Sequence, residues 1–194
     1  MKSLKLLIAA VALFATTSAS ALGLDWGLMA GVSNANFSIK GDGDHLADKM
    51  GYSIGLSLKA NLPLIDVGPE IIYTRNTMSV ERDSYFGSTG TIKASSIDVP
   101  VVAALSILGP LKIEFGPTFS LYSEAKAEYG STSTNLGRFK SEVGYVAGAK
   151  VTILGTLIVG ARFYGQFEPM RVKMNGVNRD VQQHSYSISV GANF

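Results

Sequence analysis

The sequence predicts an all-β fold: a closed, antiparallel, up-and-down barrel of eight strands that crosses a membrane. Three observations carry that expectation. Apolar residues alternate with small or polar ones over segment after segment. The segments number eight and are joined by connections that are alternately long and short. And the chain is apolar overall without containing a helical membrane span beyond its first 21 residues. Of its 194 residues 46% are hydrophobic and only 16% charged, against about 25% charged in an average soluble chain. Mean hydropathy is +0.22, yet 21 glycines argue against a helical bundle. A transmembrane helix needs about 18 or more consecutive apolar residues, and no later stretch approaches that before a charge, a serine or a Gly-Pro intervenes. The chain has no cysteine, which excludes disulfide scaffolds, thiolate metal sites and cysteine nucleophiles.

Residues 1–21 carry the marks of an export signal: Lys2 and Lys5, an apolar run from Leu6 to Ala15, and the small-residue ending Ala19-Ser20-Ala21. A run this short falls well below a membrane-spanning helix. The expected mature domain is 22–194, and loss of Lys2 and Lys5 leaves it with 15 basic and 15 acidic residues. No positive field remains to attract nucleic acid.

Period-two alternation is clearest at the C-terminus, where His184, Tyr186, Ile188, Val190, Ala192 and Phe194 share one parity and Ser185, Ser187, Ser189, Gly191 and Asn193 the other. Tyr52, Ile54, Leu56, Leu58 and Ala60 alternate with Ser53, Gly55, Ser57 and Lys59. Leu111, Ile113, Phe115, Pro117, Phe119 and Leu121 alternate with Lys112, Glu114, Gly116, Thr118 and Ser120. The pattern predicts strands over 24–39, 51–61, 67–80, 93–106, 111–124, 139–153, 156–167 and 183–194. Polar loops fall at 40–50, 81–92, 125–138 and 168–182, and tight turns at 62–66, 107–110 and 153–155. All long connections therefore lie at one end. A soluble sandwich could share the strand count, but its solvent face would carry more charge. Here the second face is mostly Gly, Ser and Thr, as in a narrow barrel whose apolar face meets lipid. Strands in a bilayer must all be paired, so the sheet must close.

An eight-stranded barrel is just wide enough to be filled by its own side chains. Parity places Lys59, Glu70, Asp98, Lys112, Glu114, Lys140, Glu142, Lys150 and Arg162 inside. Ions in such a space persist only when they pair with one another, which favours a polar plug. A water-filled conducting path lined by the same charges is the alternative. Pro69, Pro100 and Pro117 each remove a ladder donor in a sheet without edges, so bulges or strand starts are expected to host them.

Gly27-Leu28-Met29-Ala30-Gly31-Val32-Ser33-Asn34, Gly68-Pro69-Glu70-Ile71-Ile72-Tyr73, Asp98-Val99-Pro100 and Gly116-Pro117 occur in order along the chain. Together they resemble the small outer-membrane β-barrel proteins of Gram-negative bacteria, in particular the "porin family" barrel domain common among Bacteroidetes, over essentially the whole mature chain. The row Tyr186, Ile188, Val190 and Phe194 is similar to the C-terminal signal read by the barrel assembly machinery. Ala192 departs from it, at a position that is often aromatic. The resemblance implies outer-membrane lipid and lipopolysaccharide as surroundings and a monomeric barrel, but no particular activity, since such barrels serve as adhesins, defence proteins, enzymes and structural elements.

Candidate sites are few. Asp42, Asp44, His45 and Asp48 form an oxygen-rich loop, but Ser53 stands where an EF-hand needs its last acid, and the reading is a solvated loop without a metal. Tyr85 and Phe86 in the second loop suit contact with a surface ligand, or a girdle of aromatics at the membrane boundary. His184 lies on the outward parity near the loop end, where a lipid-modifying enzyme would need a serine on the same face; Ser185 points the other way. No Gly-x-Ser-x-Gly, His-Glu-x-x-His or phosphate loop occurs. The expectation is a non-enzymatic scaffold without cofactors that displays its loops, with a narrow pore as first alternative and a lipid-modifying enzyme as second.

Overall fold

The structure is a computed structural model. It describes residues 23–39, 47–80, 90–129, 132–138, 143–167, 170–174 and 177–194. The strands are β1 (Gly23–Ile39), β2 (Ala47–Asn61), β3 (Ile65–Val80), β4 (Gly90–Leu108), β5 (Leu111–Tyr129), β6 (Thr132–Arg138), β7 (Val143–Ile153), β8 (Leu157–Gln166), β9 (Met170–Met174) and β10 (Val177–Asn193). Eight of them form the wall in the order β1-β2-β3-β4-β5-β7-β8-β10, every neighbouring pair antiparallel, and β10 pairs back onto β1 to close it. β6 continues along the outer half of β5, and β9 along the outer half of β10. The closed all-β barrel expected from the alternation is thus the fold.

The outward rows are apolar and exposed: Leu28, Val32, Ile54, Leu56, Ile71, Ile113, Phe115, Val159, Ile188 and Val190 among them. The inward rows are buried and largely polar, with Ser33, Ser57, Lys59, Glu70, Glu114, Lys150 and Arg162 alongside Ile72, Val102 and Val146. This inside-out distribution is what a barrel in lipid requires. It reaches the short-turn end, where Leu64, Leu108 and Leu154 stand exposed, Leu154 at 96%. Leu154 (φ 53°) and Gly155 (φ 77°) are both left-handed, and Thr156 N donates to Ile153 O at 3.3 Å. That is the backbone of a type I′ hairpin turn, whose twist matches its strands. At the closing seam Trp26 and Phe194 exchange backbone hydrogen bonds of 2.8 and 3.2 Å, and their rings stack at 4.7 Å.

Two expectations are corrected. The long connections are shorter than the sequence suggested, because the strands run on: β2 begins at Ala47, β4 at Gly90, and the segments 125–138 and 168–182 consist mostly of β-ribbon. Membrane crossing takes about 9–11 residues, whereas β4 and β5 have 19 each, so their ends project past the apolar belt. There neither face needs to be apolar, and the period-two signal disappears although pairing continues. The prolines, secondly, do not sit at bulges or strand starts. The β2–β3 ladder is broken between Ser57↔Glu70 and Ala60↔Val67, at Pro69. The β3–β4 ladder is broken between Pro69↔Val101 and Ile72↔Asp98, at Pro100. The β4–β5 ladder is broken between Pro100↔Thr118 and Ala103↔Phe115, at Pro117. Register is the same on both sides of each break. Register shifts occur elsewhere, at Lys49/Tyr52, Ile97/Asp98 and Ser106/Leu108.

Glycine makes two of these breaks possible. A Cβ on Gly68 would lie 1.9 Å from the Leu58 carbonyl oxygen, and one on Gly116 would lie 1.9 Å from that of Val101. Without a proline N–H to meet them, these carbonyls close in over the bare glycine. Gly116→Val should therefore abolish the folded species whose gel mobility changes on boiling, whereas Gly160→Ala, whose Cβ would meet nothing closer than 3.4 Å, should keep it. A heat-modifiable Gly116→Val protein would contradict the close approach.

Candidate functional site

The lumen is where the buried chemistry lies, and parity delivers it. Lys59 from β2, Glu70 from β3, Glu114 from β5, Lys150 from β7 and Arg162 from β8 point inward at similar depth. Arg162 is the hub. Its Nη1 and Nη2 donate to the two oxygens of Glu70 at 2.5 and 3.0 Å, and its Nε donates to Glu114 Oε2 at 2.8 Å. Lys59 Nζ lies 3.3 Å from Glu70 Oε1, and Lys150 Nζ 2.7 Å from Glu114 Oε1. β3 and β8 are four staves apart in the ring of eight, so the forked Arg162–Glu70 contact spans the full width. A planar guanidinium suits such two-pronged pairing with carboxylates. Toward the short-turn end, Lys112 Nζ meets Asp66 Oδ2 at 2.5 Å, and Asn61 donates to Asp25 at 2.5 Å. A small space of about 20 Å³ remains beside the network, bordered by Ser57, Gly160, Ser189 and Asn193.

Above the network, toward the long connections, lies a larger cavity of about 100 Å³. Hydroxyls dominate its wall: Ser33, Ser53, Thr74, Ser96, Thr118, Ser120, Ser123, Ser185 and Ser187, with Asn76, Tyr164 and Gln166. Ser33 Oγ donates to Asn76 Oδ1 at 2.7 Å. Asp98 is also in this wall, accepting from Ser96 Oγ at 2.7 Å and from Ser120 Oγ at 2.5 Å.

Of the lumen charges expected from the sequence, Lys59, Glu70, Glu114, Lys150 and Arg162 come together, Lys112 pairs separately, and Asp98 stands in the upper cavity. Lys140 and Glu142 lie outside the described residues, as do Tyr85, Phe86, Asp42, Asp44 and His45. Asp48 falls within β2, opposite Met78. Asp66 was missed because the segment 62–66 reads as a turn; its parity with Gly68 and Glu70 was the available signal. Ser123 was missed because Leu121 is an extra residue between Ile97↔Tyr122 and Asp98↔Ser120, which shifts the parity. Tyr186, Ile188, Val190 and Phe194 do form one exposed outward row. His184 sits on the outer face against Phe163, ring centroids 5.7 Å apart, next to Tyr186 and close to Tyr145 and Phe167 through the same cluster. Ser185 lines the lumen, so the wall separates the two and no Ser–His pair forms between them.

A closed wall, apolar outside and ion-paired inside, defines a membrane-embedded barrel. Residues 6–194 match the family model described as outer membrane protein beta-barrel domain, and the chain belongs to that family. Solved structures with a similar fold include Neisserial surface protein A, with a TM-score of 0.62 at 15% identity, covering 87% of this chain and 97% of that one. The attachment invasion locus protein Ail of Yersinia pestis gives 0.57 at 14%, covering 88% and 98%. The outer membrane protein OprG from Pseudomonas aeruginosa gives 0.55 at 11%, covering 88% and 95%. At these identities the likeness is one of fold. No curated protein matches the chain.

Removing one member of a buried ion pair strands the other and costs about 3–5 kcal/mol. Arg162→Met should lower stability by that order, read from urea unfolding of vesicle-inserted protein through the single tryptophan, Trp26. The double change Arg162→Met with Glu70→Gln should recover part of the loss. An effect on Arg162→Met no larger than that of the exposed Lys126→Ala would contradict the hub.

Proposed function

We propose that the chain is an outer-membrane display scaffold: a monomeric, closed barrel that holds its outer loops for contact with surface ligands and catalyses nothing. The observation that carries this reading is Arg162 reaching across the lumen to Glu70 while holding Glu114. Side chains paired across the full width leave no continuous aqueous path, so the working surface lies outside the barrel. Strands that outrun the membrane support the same reading, since the paired ends of β3 with β4, β5 with β6 and β9 with β10 run on beyond the length a crossing needs. Loops held on a rigid frame are where binding residues concentrate, and Tyr85 with Phe86 are the candidate contacts.

On this account residues 1–21 direct export and are cleaved. The assembly machinery reads the row ending at Phe194, and the apolar belt meets outer-membrane lipid with lipopolysaccharide around its upper rim. Neither cofactor nor nucleic acid is required. His184 is an interfacial side chain stacked on Phe163.

The test is topological. A short epitope inserted beside Tyr85 should be detected by antibody on intact cells, and the same epitope inserted at Gly109 only after permeabilisation. Detection beside Tyr85 only after permeabilisation would overturn the display reading.

A further inference from the structure

The upper cavity contains a carboxylate that lacks the basic partner three other lumen acids have. Asp66, Glu70 and Glu114 each have a basic nitrogen within 3.3 Å. Among the described residues none lies within ion-pair distance of Asp98, whose oxygens accept only the Ser96 and Ser120 hydroxyls. A carboxylate inside a narrow barrel wall calls for a counter-charge. The second observation is independent of the first. Thr118, only 8% exposed, lines the same cavity with its Oγ1 lacking any partner, and buried hydroxyls are rarely left so.

The space they share can take a guest. About 100 Å³ is several times the room a single water needs, and its wall supplies oxygen from hydroxyls, a carboxylate and side-chain amides. Hard cations take oxygen ligands. One carboxylate with neutral oxygens balances a single positive charge, whereas calcium sites usually draw on several carboxylates and magnesium gives up its own waters reluctantly. Below lie three bases, Lys59, Lys150 and Arg162, against two acids, Glu70 and Glu114, an excess of one positive charge that opposes further descent.

We propose that the upper lumen is a binding site for one small monovalent inorganic cation of the sodium or potassium type, held by Asp98 with the hydroxyls of Ser96, Thr118 and Ser120. The cation enters from the loop end and goes no deeper. The site is distinct from the display role of the loops, and its occupancy does not depend on what they bind.

Refolded protein in zwitterionic vesicles tests this without competing lipid charge. A ligand that binds only the folded form raises stability with its concentration. The urea midpoint should therefore be higher in sodium or potassium chloride than in tetraethylammonium chloride of equal ionic strength, since the bulky ion does not fit. The sodium NMR resonance should broaden on adding wild-type protein. Asp98→Asn should lose both the midpoint difference and most of the broadening. Thr118→Val, which leaves the carboxylate in place, should weaken both and serves as the second variant if Asp98→Asn does not refold. A midpoint indifferent to the cation, or broadening unchanged in both variants, would mean that water and hydroxyls alone satisfy Asp98, and would overturn the proposal.

Discussion

One guanidinium facing two carboxylates across a narrow lumen is the contact on which the interior depends. Among the described residues Arg162 alone reaches both Glu70 and Glu114, and Lys59 and Lys150 each touch one of those acids. The five side chains come from five staves, so the network couples strands that share no ladder. It is also demanding, since Glu70 and Glu114 are each only 1% exposed and buried charge persists only when paired. A one-residue slip in β3 or β8 would turn these ions toward lipid. The network therefore reinforces the register that the outward apolar rows already favour.

The bilayer imposes the other half of the design. A chain in lipid must satisfy its own backbone, yet three adjacent staves carry proline. The ladders absorb this by breaking locally and resuming in register, with Gly68 and Gly116 admitting a neighbouring carbonyl at two of the three sites. Closure also has a device of its own. Phe194 locks to Trp26 through paired backbone bonds and a ring stack, so the last residue of the chain completes the seam with the first strand.

Legibility in the sequence followed the physics of each feature. Alternation exposed the barrel and most of the ion network because lipid on one side and a confined lumen on the other force opposite chemistries onto successive residues. Asp66 escaped because a turn reading hid its parity. Leu121 escaped because a single extra residue reverses the faces without any compositional mark, and with it went the facing of Ser123 into the upper cavity. The outer ribbons beyond the belt escaped because pairing in water needs no apolar row. Leu154 in a left-handed turn position gave no warning either, since a bulky residue is uncommon there. The proline breaks depend on register between strands, which no single segment reveals.

The central claim is that paired side chains close the lumen, and conductance tests it most directly. Refolded protein inserted in planar bilayers should show no stable, reproducible single-channel steps under an applied voltage. Reproducible steps of uniform size would mean that ions pass the Arg162 network, and the chain would then be a narrow pore rather than a scaffold.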